Sequence, residues 1–102
     1  MAHPPASSPD EIARRIAPQT GRLQALGVKS LGLFGSAARG EARATSDLDI
    51  LVEFTGPATF DRYMDLKFLL EGLLGRCVDL VTRRALKPQI RERVERDLIH
   101  VA

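Results

Sequence analysis

The segment from Asp47 to Phe54 alternates acidic and apolar side chains and then turns apolar, the pattern of a β-strand. Val28 to Phe34 and Cys77 to Val81 read as two further strands, the last a short buried one. Helical spacing fills the gaps between them. Ser8-Pro9-Asp10-Glu11 is a helix start, with Ser8 as cap, Pro9 suited to the first turn and Glu11 in the capping-box position. Ile12, Ile16, Leu23 and Leu26 follow as a stripe that Pro18 should kink or split, and Gly27 ends it. Thr59 to Leu74 is the second helical stretch, with Phe60, Met64, Phe68 and Leu69 as its expected core side and Gly75 beyond its end. Pro88 opens a last helix carrying Ile90, Val94 and Leu98 on one face. This order predicts an α/β (α+β) fold, a small sheet with helices packed on it. Three strands leave exposed edges, which argues for a partner or for self-association as a homo- or hetero-oligomer.

A chain of 102 residues holds one core. Residues 1–8 read as a flexible N-terminal tail and 9–102 as a single domain. No apolar run reaches the roughly 20 residues needed to span a bilayer. The start, Met-Ala-His-Pro-Pro, lacks the basic-then-apolar order of a secretory signal. Cys77 is the sole cysteine, so an internal disulfide and a cysteine-cluster metal site are excluded. These readings point to the cytoplasm. Fifteen Lys and Arg against thirteen Asp and Glu leave a net charge of +2, too little to draw nucleic acid by bulk attraction. Twelve of the fifteen cations are arginine, whose planar fork suits phosphate or carboxylate at a local site.

The chemistry concentrates in three places. Asp47 and Asp49 project from one face of their strand, while Leu48, Ile50 and Val52 take the other. Two carboxylates about 4 Å apart repel by about 4 kcal/mol at an effective dielectric near 20. Open water, a shared proton or a bound cation relieves that repulsion. An all-oxygen donor set suits magnesium or manganese rather than zinc. Asp79 is a third acid, in a strand that otherwise reads as interior. It calls for a partner, either a cation shared with Asp47 and Asp49 or an arginine such as Arg76 or Arg83. Gly35-Ser36 directly follows a strand, where backbone N–H groups and a hydroxyl can meet an anion, and Arg39 lies one helical turn on. A solvated helix face with i, i+4 pairs is the simpler account of the charges near the C-terminus, and the alternative is that Arg84 or Lys87 reaches the same anion. His3 and His100 have no partner at metal spacing, and Cys77 reads as a small core residue.

Gly35-Ser36, ten residues, Asp47-x-Asp49 and a later Asp79 together resemble the DNA polymerase beta-type nucleotidyltransferase superfamily. The stretches LGLFGSAARGEARATSDLDILVEF and GRCVDLVTRRALKP, with a closing helix and IHVA, are similar to its minimal nucleotidyltransferase, or MntA-like, group. The resemblance runs from about Ile12 to the C-terminus. It implies a mixed sheet flanked by helices, two magnesium ions and ATP as nucleotide. By position, Gly35 and Ser36 match the phosphate-contacting turn, and Asp47, Asp49 and Asp79 match the metal-binding catalytic acids. Asp79 would also help deprotonate the acceptor hydroxyl, and Arg39 matches a motif position. The resemblance further implies a HEPN-type toxin as partner, inactivated by AMP placed on a tyrosine. The alternatives are an antitoxin that acts by binding alone and a small-molecule (antibiotic) nucleotidyltransferase.

Overall fold

The structure, a computed structural model, describes residues 6, 8–40 and 47–102. The expected polar loop from Glu41 to Ser46 lies outside them, as does the expected tail at residues 1–5 and 7. Ala6 is buried, and its N–H donates to the Leu74 carbonyl at 2.9 Å. Its own carbonyl accepts from Arg76 Nη1 at 2.9 Å, so the chain is anchored there before the first helix begins.

That helix, α1 (Pro9–Ile16), starts as its sequence dictates: the Ser8 hydroxyl accepts from the Glu11 N–H at 3.1 Å and Pro9 sits in the first turn. Pro18 splits the run, leaving a 3-10 turn (Ala17–Gln19) before α2 (Thr20–Ala25). Gly27, with φ at +79°, turns the chain into β1 (Val28–Leu33). A single helical turn, α3 (Gly35–Ala38), follows at once. The remaining elements are β2 (Leu48–Phe54), α4 (Phe60–Leu74), β3 (Val78–Thr82), α5 (Pro88–Asp97) and a two-residue β4 (Ile99–His100).

The sheet is mixed and four-stranded, in the order β3-β2-β1-β4. β1 runs antiparallel to β2 and to β4, whereas β2 and β3 are parallel. The strand β4 was not expected. It pairs Gly32 with His100 and Leu33 with Ile99, covering one of the two edges left open by a three-strand reading. The other edge, β3, is shielded by one side of α4. Val78 donates its N–H to Glu71 Oε2 at 2.9 Å and accepts from Lys67 Nζ at 2.9 Å, and the Leu80 carbonyl accepts from the Tyr63 hydroxyl at 2.6 Å. These three side chains recur every fourth residue and occupy backbone groups that would otherwise invite another strand. Glu71→Ala therefore should cost about 1–2 kcal/mol for the stranded Val78 N–H. Urea unfolding measures the loss, and concentration-dependent elution on gel filtration reports the opened edge.

Alternate residues of β2 and β3 divide the molecule. Leu48, Ile50, Val52, Val78 and Leu80 face the main core, packed with Ile12, Ile16, Leu66, Leu70 and Leu74. Leu51 faces the other way, against Leu86 and Val94, so that α5 covers the lower part of that second face. Two expectations are corrected here. Phe60 and Phe68 are exposed, at 75% and 61%, because α4 buries Leu66, Leu70 and Leu74 instead. Positions two apart on a helix lie about 200° apart, so a stripe through 60, 64 and 68 points away from one through 66 and 70. Cys77 is exposed rather than core, since it shares strand parity with Asp79 and not with the buried Val78. In the last helix Val94 is buried as expected, while Ile90 is 43% exposed and Leu98 lies just past the helix end.

Candidate active site

The upper part of the second sheet face, above α5, carries the acids. Parallel register places Asp49 of β2 directly opposite Asp79 of β3. Asp47 immediately precedes β2. Asp49 is half-buried, and Asp47 and Asp79 are exposed. The exposure of Asp79 corrects the expectation of an interior acid: its neighbours Val78 and Leu80 take the core side, and alternation turns the carboxylate outward. Its neighbour across the strand pair is an acid, Asp49, rather than an arginine. Arg83, offered by sequence as a partner, lies between Glu95 at 2.9 Å and Glu53 at 3.8 Å. Arg76 donates to Ala6.

Burial first, then the charges of Asp79 and Asp47, hold the Asp49 carboxyl above its ordinary value of 3.8. The sign of the stability effect follows. Between 3.8 and the raised value the folded chain binds the proton better than the unfolded one, so stability falls as pH rises through that window. At neutral pH the ionised group opposes folding. Asp49→Asn should therefore be more stable than the native chain at pH 7, by up to about 1 kcal/mol given solvent screening. The difference should shrink as pH falls toward the ordinary carboxylate range. Thermal unfolding of the two proteins across pH 3–8 measures it.

The glycine turn is built against the same carboxylate. The Phe34 N–H donates to the Asp49 carbonyl at 3.1 Å, fixing the end of β1 beside Asp49. Gly35 then adopts φ +66°, and a Cβ there would lie 2.5 Å from Asp49 Oδ2. Only glycine meets both conditions. Ser36 occupies the second position of α3. The first N–H groups of any helix lack partners within it, so this turn presents donors next to the acids. Arg39 closes the turn by donating its N–H to the Gly35 carbonyl at 3.3 Å, and its Nη1 reaches Asp97 Oδ2 at 3.1 Å. Asp97, at the end of α5, is a site neighbour that sequence reasoning missed. It read as one more charge on a solvated helix, and no spacing rule links residues 58 apart.

Register and close approach thus bring Asp49 and Asp79 together beside Gly35, with Asp47 near enough for its charge to act on Asp49. Among the described residues no three His, Cys, Asp or Glu side chains stand close enough to hold an ion as they are. The chemistry of the donors nevertheless fits a hard divalent cation: three carboxylates, no nitrogen or sulfur, with burial and then mutual repulsion raising the proton affinity of Asp49. Such a set beside an anion-facing turn suits the transfer of a phosphorus-bearing group.

Comparison with known proteins identifies the family and the fold. The family model for a nucleotidyltransferase domain matches residues 14–101. The protein adenylyltransferase MntA of Thermococcus cleftensis is 44% identical over 75 residues, spanning 74% of this chain and 76% of that protein. A solved structure described as a proposed minimal nucleotidyltransferase superposes with a TM-score of 0.74 at 47% identity, covering 85% of this chain and 88% of that one. A chain from the complex of a tri-AMPylated Shewanella oneidensis HEPN toxin with its MNT antitoxin superposes with a TM-score of 0.63 at 19% identity, covering 89% of this chain and 71% of that one, a likeness of fold. Among the described residues no helix is long and apolar enough to cross a membrane.

Proposed function

The chain belongs to the nucleotidyltransferase domain family as a minimal, polymerase beta-like nucleotidyltransferase, and on that premise we propose that it transfers AMP from ATP to a hydroxyl of a partner protein. The partner is a HEPN-type toxin and the acceptor a tyrosine, which makes the chain the antitoxin of the pair. The observation that carries this reading is the juxtaposition of Asp49 and Asp79 with the Gly35 turn. The names and assemblies of the relatives support the choice of AMP and of a toxin partner.

Each residue has a role under this reading. Gly35 lets the backbone approach the triphosphate, and Gly35 and Ser36 open the helical turn whose N–H groups face its oxygens. Asp47, Asp49 and Asp79 would hold divalent cations, magnesium by donor type, which neutralise the triphosphate and the charge developing at phosphorus. Arg39 steadies the turn and faces the same anion. The acceptor hydroxyl oxygen forms a bond to the α-phosphorus, and the bond from that phosphorus to the bridging oxygen breaks. Pyrophosphate departs with the electron pair. The hydroxyl proton passes to the Asp79 carboxylate.

The test mixes the chain with ATP labelled at the α-phosphate, magnesium and the protein encoded beside it. Label on a tyrosine of that protein is expected, together with loss of its toxicity. Neutralisation without label would replace this reading by neutralisation through binding alone.

A further inference from the structure

The acids stand at one end of the parallel pair β2–β3, and a second feature stands at the other. Thr82 is the last residue of β3 and lies opposite Val52 of β2. From there Arg83 and Arg84 leave the sheet on one side and the loop Thr55–Ala58 on the other. Between them lies a cleft of about 730 Å³, bordered also by Arg91 of α5. That volume falls within the range of about 300–1,000 Å³ usual for ligand sites. Its nearest strand residues, Val52 and Thr82, stand three positions from Asp49 and Asp79, roughly 10 Å, so the cleft is separate from the acids.

Its charge is one-sided. Three guanidinium groups line it, against one carboxylate, that of Glu53. Glu53 is already shared between Arg83 at 3.8 Å and Lys29 at 3.7 Å. Arg83 is braced further by Glu95 at 2.9 Å. Arg84 and Arg91 are exposed, and their side chains have no ion pair or hydrogen bond among the described residues. Phe54, Pro57 and Ala58 supply apolar wall beside these cations. The neighbouring helix start does not supply a phosphate cradle, because the Thr59 hydroxyl already takes the Arg62 N–H at 3.2 Å.

We propose that this cleft is an exosite for an acidic, partly apolar segment of the protein whose hydroxyl receives the AMP, a proposal that rests on the transfer reading above. Guanidinium forks pair with carboxylates two bonds at a time, and the apolar wall holds the side chains between them. Arginine anchors of this kind carry much of the energy of protein interfaces. The helix α5 carries Arg91 at the cleft and ends at Asp97, which holds Arg39 beside the glycine turn, so one rigid element borders both places.

The experiment uses a fluorescent hexapeptide, Glu-Glu-Leu-Glu-Glu-Phe, titrated with the full chain and read by anisotropy. The Arg84→Glu/Arg91→Glu chain should bind at least about tenfold more weakly, Arg84→Lys/Arg91→Lys should retain most of the affinity, and a Gln-for-Glu peptide should bind poorly. Asp49→Asn should leave peptide binding unchanged. In the transfer assay the charge reversal should raise KM for the partner protein with kcat unchanged. Peptide affinity indifferent to the reversal would overturn the proposal. So would tighter arginine-dependent binding of a ten-uridine RNA or of pyrophosphate. If no label is transferred by the native chain while the peptide still binds through Arg84 and Arg91, the transfer reading fails and the acidic-segment site stands.

Discussion

The Asp47→Asn/Asp49→Asn chain is expected to lose label transfer by at least about 10³-fold while remaining folded. Removing one group that stabilises charge in a transition state commonly costs about 10²–10³ in rate. Here two such groups go together, and because they act as one unit the losses will not simply multiply. The folded state should not suffer. Asp47 is exposed and Asp49 half-buried, and amides cannot repel Asp79 as carboxylates do. The melting temperature should match or exceed that of the native chain, and the variant should still bind its partner. Transfer persisting in this variant would remove the acids from the mechanism. A drop in melting temperature would instead mean that the acids hold the fold together, contrary to the raised proton affinity of Asp49.

Gly35→Ala should be nearly as damaging, for a different reason. A left-handed φ of +66° costs an L-residue about 1–2 kcal/mol. The added methyl would also lie 2.5 Å from Asp49 Oδ2, so the carboxylate must move. A displacement near 1 Å at a reacting centre can cost about 10²-fold in rate. Gly40 is the control. Its φ is +72°, but a Cβ there meets nothing within 4 Å among the described residues. Gly40→Ala should carry the backbone cost alone, about 1–2 kcal/mol in urea unfolding, with transfer near the native rate. Equal activity losses at both glycines would mean that the close approach to Asp49 is incidental.

These two expectations draw on features of different legibility. The spacing Gly35-Ser36-x10-Asp47-x-Asp49 is visible in the chain, because strand alternation and turn chemistry are local rules. The Ser8 cap, the split at Pro18 and the stop at Gly75, with its φ of +65°, followed from rules of the same reach. The contact between Gly35 and Asp49 did not. It depends on the antiparallel register of β1 with β2, which places Leu33 opposite Ile50.

By itself, the amino-acid order determined most helices and three of the four strands, and offered three acids as a candidate site, since caps, breakers and period act over a few residues. Tertiary structure alone decided which face of α4 is buried, leaving Phe60 and Phe68 outside. It also turned Asp79 and Cys77 outward, added β4 to the sheet, joined Arg39 to Asp97 and gathered Arg83, Arg84 and Arg91 around one cleft. Each of those outcomes depends on which surfaces meet across long stretches of chain. Burial and pairing between such distant segments are settled by the packing of the whole core, and no local period encodes them.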